Sequence, residues 1–248
     1  QVKPDVHLAS ISGGTDLCGS LVLGDPTRPV YAGEIQGPAL GVAVDVWDSD
    51  ARSLKESPTE RGELVCTMAF PSMPLGFWDD ATGARYNAAY FERFDGVWAQ
   101  GDFASWTEHG GIVIHGRSDA TLNAGGVRIG TAEIYRQVDQ LPQVQESLAV
   151  GQAWDDDTRI VLFVRLTDGE SLTDELISEI KVKLRDNCSP RHVPSRLVAV
   201  ADVPRTRSGK LGERAGADVV NGRVVRNSEA LANPESLQLF EDLAELAD

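Results

Sequence analysis

The stretch Gly116 to Ile134, G-R-S-D-A-T-L-N-A-G-G-V-R-I-G-T-A-E-I, decides how the chain is divided. Two arginines, an adjacent pair of glycines and a helix start fall within this one short span. Arg117 and Arg128 offer forked guanidinium donors, and Gly125 and Gly126 let backbone approach a ligand closely, so the span reads as an anion site. An ordinary surface loop gives the same composition. At its end Thr131 is placed to cap a helix, with Ile134, Val138 and Leu141 at helical spacing and Pro142 closing it.

The texture of the chain differs on the two sides of this span. From about Val30 to Ile114, short apolar runs (V-A-V-D-V-W, G-E-L-V-C, G-G-I-V-I-H) are separated by Gly, Pro and charged clusters, which reads as β structure with long loops. Beyond Arg117, helix and strand alternate. Strands are expected at Ser147 to Val150, Ile160 to Leu166 and Leu197 to Val200. Thr173 opens a helix with Leu176, Ile177, Ile180 and Leu184 on one face. V-V-N-G-R-V-V, around Asn221 and Gly222, carries the strongest short hairpin signal, because both turn residues tolerate positive φ. Asn233 caps a last helix, with Pro234 at its first position and Leu237, Phe240 and Leu243 along it. The expected fold class is α+β, in two domains, 1–118 and 119–248, with the boundary near Asp119.

Composition narrows the function. In 248 residues, 23 Lys and Arg stand against 38 Asp and Glu, and a net charge of -15 repels nucleic acid and anionic membranes alike. No apolar run is long enough to cross a bilayer and the first residues lack a secretion signal, so the expected compartment is the cytoplasm. Cys18, Cys66 and Cys188 have no disulfide or metal spacing, and His7, His109, His115 and His192 fall in no metal-ligand motif. No protein-bound zinc is expected. The absence of an initiator Met points to a piece of a longer chain.

Three further motifs bear chemistry. S-G-G-T-D, Ser12 to Asp16, offers a hydroxyl and a carboxylate on what is otherwise a hairpin turn. W-A-Q-G-D-F-A, Trp98 to Ala104, offers in Asp102 two acceptor oxygens suited to a pair of neighbouring hydroxyls. P-R-T-R-S-G-K, Pro204 to Lys210, is basic but is no Walker loop, since Pro204 replaces the first glycine and Leu211 the Ser or Thr that holds Mg²⁺. Alone it is equally an exposed basic loop.

In this order the four motifs resemble the adenylate-forming superfamily of acyl-coenzyme A synthetases, peptide-synthetase adenylation domains and luciferases. The resemblance implies the β-rich end of a large AMP-binding domain followed by a small α+β lid. It implies nucleotide contacts from Thr15, Asp102, Arg117 and Arg128, and a Mg²⁺ ligand in Asp16. It also implies a pivot at Asp119, a coenzyme A tunnel along Gly125 and Gly126, and an adenylating lysine in Lys210. Asn123, where many members have Lys, matches the acetyl-coenzyme A synthetase branch. E-I-Q-G-P-A-L-G, P-S-M-P-L-G-F-W and N-S-E-A-L-A-N-P-E-S-L resemble the acetoacetate-activating branch in particular. Acetyl-specific relatives place a Trp pocket wall at the position aligned with Gly13, so glycine there implies room for a longer acyl group. The implied substrates are ATP with Mg²⁺, acetoacetate and coenzyme A. The rest of the amino-terminal domain is expected outside this sequence, leaving the chain inactive alone. Acetate or propionate as the acid, or a fragment that merely binds nucleotide, are the rival readings.

Overall fold

The structure is a computed structural model and describes residues 3, 5–118, 120–225 and 228–247. The chain forms two compact units, Gln1–Ser118 and Asp119–Asp248. Both mix strands with helices, an α+β architecture.

In the first unit, β1 (Ser12–Gly14), β2 (Gly19–Leu23) and β3 (Gly37–Pro38) make a small antiparallel sheet. A second antiparallel sheet runs in the order β4 (Val44–Trp47), β5 (Arg61–Cys66), β6 (Trp98–Trp106), β7 (Ile112–Arg117). Leu17 and Leu21 of the small sheet's hairpin pack with Val46, Leu64, Trp98, Ala104 and Ile112 in one core. The sequence pattern predicts no helix in this unit, yet α1 (Ala84–Tyr90) forms between β5 and β6, entered through Gly83 at φ 67°. Its residues carry no buried stripe, so the 3.6-residue signal was absent.

The second unit is built on a ladder of β10 (Val144–Trp154) and β11 (Asp157–Leu166), to which β12 (Arg196–Ala199) adds in parallel. It is preceded by a hairpin, β8 (Leu122–Ala124) and β9 (Val127–Ile129), and by α2 (Thr131–Val138). The run Ile160 to Val164 is apolar throughout because both faces of the ladder are covered. Ile160, Leu162 and Val164 face α2 and α3 (Asp174–Asn187). Val161 and Phe163 face Phe240, Leu246 and α4 (Glu213–Val220). Alternate residues thus serve two cores. Thr173 caps α3, its side chain accepting from the Leu176 N–H at 3.3 Å.

Three local expectations are corrected. Gly130, not Thr131, occupies the N-cap of α2; Thr131 is its first helical residue. Asn221 and Gly222 turn no hairpin: Val219 and Val220 end α4, the Gly222 N–H donates to Val219 O at 2.9 Å and the Arg223 N–H to Asp218 O at 2.8 Å. This is a Schellman closure, and the positive φ that Gly222 supplies, 64°, serves a helix terminus as readily as a hairpin. The helix expected behind Asn233 is of 3-10 type, Pro234–Phe240, and Leu243 lies beyond it, ahead of a short 3-10 turn at Ala244–Leu246. The Asn233 side chain does not cap it. It donates to Asp202 Oδ2 at 2.7 Å and Val203 O at 2.9 Å instead. Residues 226 and 227, and Asp119, lie outside the described residues.

Among the described residues no helix is long and apolar enough to cross a membrane. The three cysteines are free, and burial pushes the Cys66 thiol up to about 12, leaving it protonated at neutral pH.

Candidate functional site

In the first unit the predicted residues gather beside the β1–β2 hairpin. The turn from Thr15 to Cys18 closes with Cys18 N–H donating to Thr15 O at 3.1 Å, and it leaves the Thr15 and Asp16 side chains exposed. The hairpin is tied to β6 at two points. Ser12 Oγ donates to Asp102 Oδ2 at 3.3 Å, and Gln100 Nε2 donates to Gly13 O at 3.4 Å. Asp102 pairs across the sheet with Arg117, whose Nη1 donates to Asp102 Oδ1 and to Gln100 O, each at 3.2 Å. A carboxylate's two acceptor oxygens suit a vicinal diol. Gly101 sits at φ 78°, which is why the G-D pair needs its glycine; the Arg117 guanidinium also lies where a Cβ would project.

Two groups that no sequence motif marks support this cluster. Glu63, fully buried on β5, accepts the Gly101 N–H at 2.5 Å and ion-pairs with Arg93. Burial raises its carboxyl above the ordinary range despite hydrogen bonds from Ser118 and Gly101 and the charge of Arg93. Nothing in G-E-L-V-C marks this glutamate as inward-facing, because both pleat faces are buried there. Tyr90 is the second group: its hydroxyl donates to Asp16 Oδ2, and its ring stacks on Trp98. Burial, then Asp16, raises the phenol's pKa, so it stays a donor.

Gly13 is explained locally. A Cβ there meets the backbone of Gly19 and Ser20 on the facing strand, so the register of the hairpin demands glycine.

In the second unit the candidates are separated. Gly125 and Gly126, at φ 59° and 73°, form the two-residue turn of the β8–β9 hairpin, and Arg128 pairs with Asn123 across it, exposed. The Gly125 N–H donates to Asp157 Oδ2 at 3.0 Å, and Arg191 Nη1 donates to Gly125 O at 3.4 Å. A cavity of about 440 Å³ opens beside Gly125, lined by Trp154, Asp157, Arg159 and Arg191 among others. A larger one, about 810 Å³, lies among Asn123, Gly151, Arg214 and Asp218 and holds none of the predicted residues.

Lys210 closes a tight loop. Thr206 N–H donates to Lys210 O at 2.8 Å, Lys210 N–H to Thr206 Oγ1 at 3.1 Å and Gly209 N–H to Thr206 O at 2.8 Å. The loop is pinned by Arg205, which pairs with Glu146 and with Asp202, the latter at 2.9 Å. The Lys210 side chain is exposed and has no ion pair among the described residues. Glu146 and Trp154 are eight residues apart on β10, and Trp154 pairs with Asp157. At about 3.3 Å per residue, the anchors of the Lys210 loop and of the Gly125 turn are roughly 26 Å apart, at opposite ends of one ladder.

Among the described residues no three His, Cys, Asp or Glu side chains form a metal cage. A single exposed carboxylate, Asp16, with a neighbouring hydroxyl fits a hard cation held mainly by substrate phosphates and water.

Residues 136–210 match the model of the AMP-binding enzyme C-terminal domain. A Rhizobium meliloti (strain 1021) protein named acetoacetyl-coenzyme A synthetase is 64% identical over 99% of this chain, which spans 37% of that protein's length. The mouse protein named acetoacetyl-CoA synthetase is 42% identical over the whole chain, again 37% of its length. The solved acetoacetyl-CoA synthetase of Streptomyces lividans superposes with TM-score 0.88 at 41% identity, covering 95% of this chain and 36% of that one. An anthranilate CoA ligase in complex with anthranoyl-AMP shares the fold, at TM-score 0.70 and 21% identity over 84% of this chain and 39% of its own.

Proposed function

The chain belongs to the acetoacetyl-coenzyme A synthetase family of adenylate-forming ligases, spanning 37% of the Rhizobium relative's length, and from this premise we propose that it is the carboxyl-terminal part of an enzyme that activates acetoacetate. In the first half-reaction an acetoacetate carboxylate oxygen attacks the α-phosphorus of ATP and pyrophosphate leaves. In the second, the coenzyme A sulfur attacks the acyl carbonyl carbon and AMP leaves. Asp102 takes the ribose diol, Arg117 and Arg128 the nucleotide, and Thr15 the α-phosphate. Asp16 holds Mg²⁺, which offsets phosphate charge when bound.

The observation that carries the reading is the separation within the second unit. Lys210 and the Gly125–Gly126 turn occupy opposite ends of the β10–β11 ladder, so one rigid body can offer either end to a reaction, but not both at one place. Lys210 stabilises charge as adenylation proceeds. The glycine turn and its cavity serve coenzyme A afterwards. The lid turns about Asp119 between the two steps, and the cytoplasmic setting expected from the sequence belongs to the same proposal.

The test is ATP–pyrophosphate exchange by the full-length protein with acetoacetate, acetate and propionate in parallel. Preferred exchange with acetoacetate is expected, and none from the 248-residue chain alone. Equal exchange with all three acids contradicts the substrate assignment. Gly13, where a Cβ would meet the β2 backbone, belongs in this reading to the acyl pocket and leaves room for the longer acid.

A further inference from the structure

We propose that Tyr90 is a positioning residue for Asp16, fixing the carboxylate that meets the phosphate-bound Mg²⁺. The proposal rests on the adenylating reading above. Asp16 stands on an exposed turn, where a short side chain can take several rotamers that point away from a cation. The Tyr90 hydroxyl donates to Oδ2 alone, which orients the carboxylate and leaves Oδ1 open.

What makes Tyr90 a rigid donor is the material behind it. It is the last residue of α1, and the Phe91 N–H closes that helix on Asn87 O at 2.8 Å. Its ring lies flat on Trp98, centroids 3.6 Å apart with 13° between planes, and meets the edges of Phe77 and Tyr86 at 5.9 and 5.7 Å. Trp98 is fully buried and its Nε1 donates to Gln100 Oε1 at 2.9 Å. Gln100 Nε2 then reaches Gly13 O, on the strand that leads into the Asp16 turn. The contacts therefore close a ring: hairpin, Gln100, Trp98, Tyr90, Asp16, hairpin. Tyr86 and Tyr135 spend their hydroxyls on structural partners, Pro74 O at 2.6 Å and Glu213 Oε1 at 2.7 Å. Tyr90 points its own at a candidate ligand.

Tyr90→Phe keeps the stacked ring and removes only the donor. The experiment compares full-length wild type, Tyr90→Phe and Asp16→Asn by electron paramagnetic resonance of Mn²⁺ in the presence of ATP, with ATP binding in chelator and melting temperature measured beside it. Loss of one hydrogen bond to a carboxylate is expected to weaken ATP-dependent Mn²⁺ binding about fivefold. Metal-free ATP binding and melting temperature should hold, and saturating Mg²⁺ should restore the exchange rate. Asp16→Asn should weaken Mn²⁺ further. Wild-type Mn²⁺ affinity in Tyr90→Phe, or a loss that follows melting temperature only, overturns the positioning role while leaving the adenylating reading intact. Failure of wild type to bind Mn²⁺ more tightly with ATP than without it overturns both.

Discussion

The two units hold their candidate groups by opposite means. In residues 1–118 the cluster is assembled from afar: Ser12 meets Asp102 across 90 positions, Gln100 meets Gly13 across 87 and Tyr90 meets Asp16 across 74. In residues 119–248 Lys210 and Gly126 ride on turns closed by near neighbours, Lys210 on Thr206 and Gly209, Gly126 on Gly125. A networked cluster shares its damage, because removing one partner strands the next. Turn-mounted groups fail singly. Removing the buried Asp102 carboxylate of the first cluster should therefore move stability and ligand binding together, whereas removing the exposed Lys210 side chain should move chemistry alone.

Asp102→Ala in the full-length protein is the largest test of that contrast. It removes the acceptor proposed for the ribose and one partner each of Arg117 and Ser12, so kcat/KM for ATP should fall about 10²-fold, on the order of 3 kcal/mol, and the melting temperature should fall with it. Lys210→Ala should leave the melting temperature unchanged. A stable Asp102→Ala protein with normal ATP kinetics ends the claim of a connected cluster.

Glu63→Gln probes the support beneath Asp102, with an expected loss of about 2 kcal/mol in the unfolding of this chain, since a charged acceptor for Arg93 and the Gly101 N–H is lost. Its sign with pH is fixed. Glu63 is raised above 4.5 in the fold, chiefly by burial, so from 4.5 up to its folded pKa the folded state binds more protons than the unfolded one. That contribution to stability is present at low pH and is lost as pH rises through the window. Denaturation across pH should show this decline in wild type relative to Glu63→Gln. A difference that runs the other way contradicts the burial argument.

The smallest effect is expected at Asn221, whose side chain accepts from the Ala153 N–H at 2.7 Å and donates to Gly151 O at 2.9 Å. Asn221→Ala should cost about 1 kcal/mol in denaturant unfolding and leave both half-reactions alone.

Asn221 also shows what the sequence makes legible. A helix with its own cap and stripe, such as α3 behind Thr173, can be read directly, since every signal lies within a few residues. N-G states only that positive φ is permitted there; whether helix or strand precedes it depends on α4 packing Gly216 against Leu148 and Val150. Conversely, the longest hairpin of the second unit turns on Asp155 and Asp156, at φ 49° and 59°, without a glycine to announce it. The motif residues of the candidate sites were visible by type. Their supports, Glu63, Tyr90, Arg205 with Glu146, and Asp157 with Arg191, were not, because each acts through a partner distant in sequence.

The central claim, that opposite ends of one ladder serve opposite half-reactions, is tested most directly by assaying Lys210→Ala and Gly126→Leu in both steps of the full-length enzyme. A Cβ on Gly126 meets nothing within 4 Å, so leucine there fills the approach to the turn at the cost of about 1 kcal/mol of positive-φ strain. Single-turnover pyrophosphate release should fall at least ~10²-fold in Lys210→Ala and stay near wild type in Gly126→Leu. Thioester formation from supplied acetoacetyl-adenylate should reverse that order, with Gly126→Leu down about tenfold or more. Loss of both steps in both variants would contradict the division of labour.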